Sequence, residues 1–140
     1  MSEHNPFCTM IKRINDEMAR RVNNLLNMND LTLSQFDVLL ALNLAENHRM
    51  TLKELERSIH VAQSTTAGIV SRLKKKGLVI YGGLPDDLRV KTVQLTERGV
   101  EYCRMAEKDM EQAENQLLSG LTDTERGIFL TLMEKVGNSL

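Results

Sequence analysis

Apolar residues recur at spacings of three and four along most of this chain. The pattern breaks once, between Leu78 and Leu95, where it gives way to a β-prone run, a turn and an alternating run. That single interruption predicts a mainly α fold of six helices with one small β-hairpin. In the first helix, residues 6–28, Phe7, Met10, Ile11, Ile14, Met18, Val22 and Leu25 fall on one face. The second starts at Thr32, which stands at capping-box spacing from Gln35, and carries Phe36, Leu39, Leu40 and Leu42 to about Glu46. Thr51 and Glu54 repeat that start signal for a third helix, whose inner face is Leu52, Leu55 and Ile59. A fourth, residues 62–76, has Thr66, Ile69, Val70 and Leu73 as its apolar stripe, and Gly77 sits where a left-handed glycine ends a helix.

Two strands follow, 78–81 and 91–95, joined by the turn-forming residues 82–87. Past Thr96 a fifth helix repeats Gly99, Cys103, Ala106, Met110, Ala113 and Leu117, and beyond "SGLTDTE" a sixth carries Ile128, Phe129, Leu132, Met133 and Val136. The first, fifth and sixth helices hold more apolar face than one small domain can cover. Burial between two copies is therefore expected, through Phe7, Met10, Ile11, Ile14, Leu117, Ile128, Phe129 and Leu132, with packing inside one chain as the alternative.

Charge is informative only when divided along the chain. The net formal charge is −1, yet residues 57–91 hold seven Lys/Arg against two Asp/Glu, while the segments on either side are acidic. A basic centre between acidic flanks suits a protein that offers one face to a polyanion. The fourth helix shows how. Opposite its apolar stripe lie Ser64, Gly68, Ser71, Arg72 and Lys75, small residues first and cations last. Lys74, Lys75 and Lys76 complement the negative end of the helix dipole, so capping alone accounts for them. Capping leaves Gln63, Ser64 and Thr65 unexplained.

Four fragments, in order, resemble the MarR family of winged helix-turn-helix transcription regulators: LTLSQFDVLLAL, TLKELERSIHVAQSTT, RLKKKGLV and, most specifically, the wing-like DDLRVKTVQLTERG. The resemblance implies a single domain over 1–140, with a winged helix-turn-helix DNA-binding lobe at 32–96 and dimerisation helices at 6–28 and 97–140. It implies a homodimer on a palindromic double-stranded DNA operator, the fourth helix in the major groove and the hairpin wing against the minor groove. The DNA-contacting residues expected on that basis are Thr51, Gln63, Ser64, Thr65, Gly68, Ser71, Arg72, Lys75, Arg89 and Lys91, with Asp87 bracing the wing arginine. Short side chains at the start of the reading helix let the backbone approach base edges, which Gln, Ser and Thr can read by donating and accepting. Tyr81 and Leu88 stand where many relatives have Arg, which implies a weaker wing. His60, where the family often has Gly, is expected to be a turn residue.

The family also implies a small lipophilic or aromatic effector held between the dimer helices and the reading lobe, and hence a ligand-responsive repressor. Met10, Met18 and Met110 are candidates to line such a pocket. Cys8, near the start of the first helix, is placed like the reactive cysteine of the family's peroxide sensors, which leaves a redox-sensing regulator as one alternative. Cys103 lies on an apolar stripe and is expected to be inert. The other alternative is a winged-helix protein-interaction module that has lost DNA binding. No nucleophile with base and orienting partner, no glycine-rich phosphate loop and no His/Cys cluster is present, so neither enzyme activity, metal nor cofactor is expected. No apolar run reaches the roughly 18 residues of a membrane span and no secretion signal is evident, so a cytoplasmic protein is expected.

Overall fold

The computed structural model describes residues 5–59 and 63–140, with the side chains of Gln63 and Ser64 excepted. His60 and the expected helix start at residue 62 lie outside the described residues. Six α-helices are present: α1 (Pro6–Met28), α2 (Leu33–Leu44), α3 (Leu52–Ile59), α4 (Gln63–Lys75), α5 (Glu97–Leu117) and α6 (Asp123–Asn138). Four of them begin with the same local device, a threonine whose Oγ1 accepts the backbone N–H three residues on. Thr32 accepts from Gln35 and Thr51 from Glu54 at 3.1 Å, Thr96 from Gly99 at 3.0 Å, and Thr122 from Glu125 at 3.2 Å. At Thr32 and Thr122 the third residue's side chain returns the bond, completing a capping box. Each such cap is worth about 1 kcal/mol.

The sheet differs from expectation. Strands β2 (Val79–Gly83) and β3 (Lys91–Leu95) form the anticipated hairpin, with Val79 opposite Leu95 and Gly83 opposite Lys91. A third strand, β1 (Arg49–Thr51), pairs with the other edge of β3, giving the order β1-β3-β2. Three residues are too few to show alternation, so the strand carries no periodic signal. The second helix also stops two residues short of Glu46. Ala45 is extended, and Asn47 and His48 follow with φ of 56° and 53°, a left-handed pair that turns the chain from α2 into β1.

The core sits in the central lobe. Val38, Leu39 and Leu42 of α2, Leu55 of α3, Val70 and Leu73 of α4, Val79 of β2 and Val93 of β3 are almost completely enclosed. By contrast α1 gives the core only Leu26, α5 chiefly Cys103 and Gly99, and α6 nothing. Gly77, with φ of 76°, ends α4 in a Schellman arrangement: its N–H reaches the Lys74 carbonyl at 2.9 Å, and that of Leu78 reaches Leu73 at 3.1 Å. This closure sends the chain straight from α4 into β2, so the end of the helix and the base of the hairpin are neighbours.

Candidate nucleic-acid interface

Burial of one stripe sets the rotation of α4. Thr66, Val70 and Leu73 have no measurable exposure and Ile69 almost none. At about 100° per residue, that turns Thr65, Ser71, Arg72 and Lys75 outward, and all four are exposed. Gly68 shares this side, and the Arg72 guanidinium lies 3.8 Å from where a Cβ on it would stand. Gln63 and Ser64 occupy the first two helical positions. Thr51 is half-buried at the junction of β1 and α3, its hydroxyl oxygen engaged as the α3 cap.

The wing closes through residues 84–90, folded so tightly over the end of β2 that a Cβ on Gly83 would meet the Leu88 backbone at 2.8 Å. Within that loop Asp87 Oδ1 accepts from both the backbone N–H and the Nε of Arg89, each at 3.1 Å. The Arg89 side chain is 92% exposed, so this pair adds little stability. Its consequence is orientation: the guanidinium is held at the tip beside the exposed Leu88.

The three lysines at the end of α4 turn out to have three different placements. Lys74 puts its ammonium 5.1 Å from the centroid of the Tyr81 ring on β2, and Lys91 on β3 approaches the same ring at 5.7 Å. Lys75 is exposed. Lys76 turns the other way, donating to the Asp30 main-chain oxygen and, at 3.2 Å, to Gln35 Oε1. It therefore ties the exit of α4 to the α1–α2 corner, and helix capping is only part of what it does. Sequence reasoning placed Tyr81 in the wing and Lys74 at the helix end but did not bring the two together. The one signal was the hairpin pairing, which makes residues 81 and 91 diagonal neighbours.

Several basic side chains outside this face are neutralised at close range: Lys12 by Asp16, Arg20 and Arg21 by Glu17, and Arg104 by Glu101. The Arg20 hydrogen bond, more than any other contact, holds the Glu17 carboxyl down at about 2. Among the described residues, Arg57, Arg72, Lys74, Lys75 and Lys91 have no carboxylate within salt-bridge distance. A surface of unneutralised cations on a helix, flanked by a two-stranded arm, is the form of a site that exchanges counterions for phosphates.

Residues 29–89 match the model of the MarR family. The apo form of E. coli MarR superposes with a TM-score of 0.78 at 29% identity, over 96% of this chain and 98% of that one. A cysteine-to-serine mutant of the same E. coli protein, solved in complex with operator DNA, superposes with a TM-score of 0.68 at 27% identity, over 97% and 99%. In sequence the chain is 27% identical over 130 residues to the HTH-type transcriptional repressor IacR of Pseudomonas putida, 93% of this chain and 77% of that protein.

The chain's central residues are MarR-like, and the MarR fold is shared over nearly the whole chain.

In MarR-family terms, α3 and α4 are the helix-turn-helix and β2–β3 the wing. Two further features lie away from this face. A cleft between α1, α2 and α5, lined by Val22, Leu25, Phe36, Tyr102, Ala106 and Met110, has only about 20 Å³ of open space, about the room one water needs. Of the methionines named from the sequence, Met110 lines it, whereas Met10 and Met18 are exposed on α1. Cys8 is exposed at the first turn of α1. Cys103 is buried, its thiol pushed up to about 11, first by burial and then by the Glu107 charge. Among the described residues there is no cluster suited to a metal ion, and no helix is long and apolar enough to cross a membrane.

Proposed function

We propose that this chain is a member of the MarR family and a sequence-specific, double-stranded DNA-binding transcription repressor that acts as a homodimer on a palindromic operator. The observation that carries this reading is the outward side of α4, where Arg72, Lys74 and Lys75 have no carboxylate within salt-bridge distance, beside a wing that carries Lys91 and the Asp87-paired Arg89; the buried stripe Thr66, Ile69, Val70 and Leu73 turns that side outward. Thr65, Ser71 and Arg72, with Gln63 and Ser64 at the helix start, are the base-edge readers. Lys75, Lys91 and Thr51 contact phosphates, and Arg89, oriented by Asp87, enters the minor groove.

The homodimer is supported by apolar surface that one copy leaves uncovered. Phe7 is 81% exposed and Ile11 63% on α1, and Ile128 and Leu132 are each 55% exposed on α6, which contributes no buried residue of its own. Together with Met10, Ile14, Leu117 and Phe129 these form the proposed contact set. A two-fold pair would set two reading helices about one DNA turn, roughly 34–36 Å, apart. The operator defines the working compartment, which for this reading is the cytoplasm. A small lipophilic or aromatic effector would enter by parting α1 from α5 at the cleft and so bias the spacing of the heads.

Selection of bound duplexes from a random pool, with and without candidate aromatic acids, tests this. A palindromic consensus, salt-dependent affinity and a sedimentation mass of two chains are expected. Arg72→Ala should cost about 1–3 kcal/mol and relax one operator position. Binding that is flat across sequences and unchanged in both Arg72→Ala and Arg89→Ala would favour a protein-interaction module instead.

A further inference from the structure

Tyr81 is half-buried at the edge of the reading lobe's core, on the same strand face as Val79, and two ammonium groups gather on its ring. Backbone geometry fixes that gathering. Tyr81 pairs with Val93 across the hairpin, so Lys91, two residues along β3, is its same-face diagonal neighbour. The Gly77 closure returns the chain from α4 into β2 and brings the last turn of α4, with Lys74, beside the same ring. Two like charges on separate elements would drift apart in water. A shared π-face offsets their repulsion, because the negative ring quadrupole attracts each cation. Neither lysine has a carboxylate within salt-bridge distance among the described residues, so the pair is left for a polyanion.

We propose that Tyr81 is a positioning residue for DNA affinity, its ring holding Lys74 and Lys91 as a pair that clamps the phosphate backbone between the end of the reading helix and the base of the wing. The proposal rests on the DNA-binding reading above and adds to it two residues, Lys74 and Tyr81. It also changes what the tyrosine does there: in place of a wing arginine that touches DNA itself, the ring organises two lysines from neighbouring elements. Phosphate contacts carry no base information, so the clamp raises affinity for every duplex alike.

The test is an anisotropy titration of the selected duplex, and of a scrambled one, between about 50 and 200 mM salt. Each lost phosphate contact lowers the slope of log K against log salt by about 0.9, hence by about 1.8 for one contact in each half of a dimer. If a contact's contribution fades near 1 M salt, that slope corresponds to about 60-fold weaker binding at 0.1 M. Lys74→Ala and Lys91→Ala should each show this loss, equally on both duplexes. Tyr81→Leu, which keeps apolar packing but removes the ring, should show the same loss with an unfolding midpoint near wild type. Tyr81→Phe should bind like wild type. Adding Lys91→Ala to Tyr81→Leu should cost less than the two separate losses combined.

A Tyr81→Leu protein with the wild-type salt slope, a Tyr81→Phe protein as weak as Tyr81→Leu, or a loss confined to the selected duplex would each overturn the clamp while leaving the DNA-binding function intact. A wild-type chain with no salt-dependent affinity for any duplex would instead overturn both readings.

Discussion

Replacing Gly99 by alanine should destabilise the fold, although alanine is the better helix former. Gly99 lies in the first turn of α5, and a Cβ built there would stand 2.2 Å from the Leu78 carbonyl oxygen and 3.2 Å from its carbon. A normal carbon–oxygen approach is roughly 3.3 Å, so helix and strand must separate by about 1 Å. The same oxygen accepts the Thr96 N–H at 3.1 Å, the bond that seats the start of α5 on the hairpin. Overpacking of this kind costs about 1–3 kcal/mol, and loosening the hydrogen bond about 1 kcal/mol more. Alanine returns about 1 kcal/mol through helix propensity. The net loss is about 1–3 kcal/mol, which in a chain of this size lowers the unfolding midpoint by roughly 2–12 °C. Differential scanning calorimetry at a fixed chain concentration measures it, the concentration mattering for any dimer. Gly127→Ala is the control: in α6, nothing lies within 4 Å of its added Cβ, so stability should rise by up to about 1 kcal/mol. A Gly99→Ala protein as stable as wild type, beside a Gly127→Ala protein that behaves as expected, would refute the close-approach argument.

Three further outcomes are expected. Near neutral pH, native protein treated with iodoacetamide should take up one adduct, at exposed Cys8, and a second adduct before unfolding would contradict the burial and raised pKa of Cys103. The Tyr102 hydroxyl donates to the Asn29 carbonyl, and its pKa is raised above 10, chiefly by burial and then by Asp30. A raised folded-state pKa means that this stability is fully present below pH 10 and lost as pH rises through the folded value. Denaturant melts at alkaline pH should show that loss in wild type and not in Tyr102→Phe. At the α1–α2 corner, Lys76→Met should cost about 1 kcal/mol in urea unfolding, because the Asp30 carbonyl and Gln35 lose a charged donor. Asp30→Gly should change stability by less than about 0.5 kcal/mol: its carboxylate is 3.8 Å from Lys76, the stronger bond is to the backbone, and its φ of 53° suits glycine.

Much of the molecule was legible from neighbours a few residues apart. Each threonine cap acts on the N–H three positions on, Gly77 acts within its own turn, and the α4 stripe repeats every three or four residues. One-dimensional spacing therefore located the helices, the hairpin and the outward side of the reading helix. Strand β1 escaped because three residues cannot display a period, and its partners Thr92, Val93 and Gln94 lie more than forty positions away. The left-handed Asn47–His48 pair escaped because neither residue is glycine.

The candidate site divides in the same way. Which face of α4 turns outward followed from the sequence, since burying four apolar side chains leaves a rod no other rotation. What each lysine at its end does was a tertiary matter, because consecutive residues point about 100° apart and meet whatever the fold has packed there. Lys74 meets the ring of Tyr81, Lys75 meets solvent, and Lys76 meets an α1–α2 corner 46 residues earlier in the chain. The sequence by itself determined the periods, the caps and the concentration of charge, all of which are local free energies. Only the tertiary structure decided which charges share a partner, because that depends on the angles at which helices and hairpin pack, and those angles come from the whole core at once.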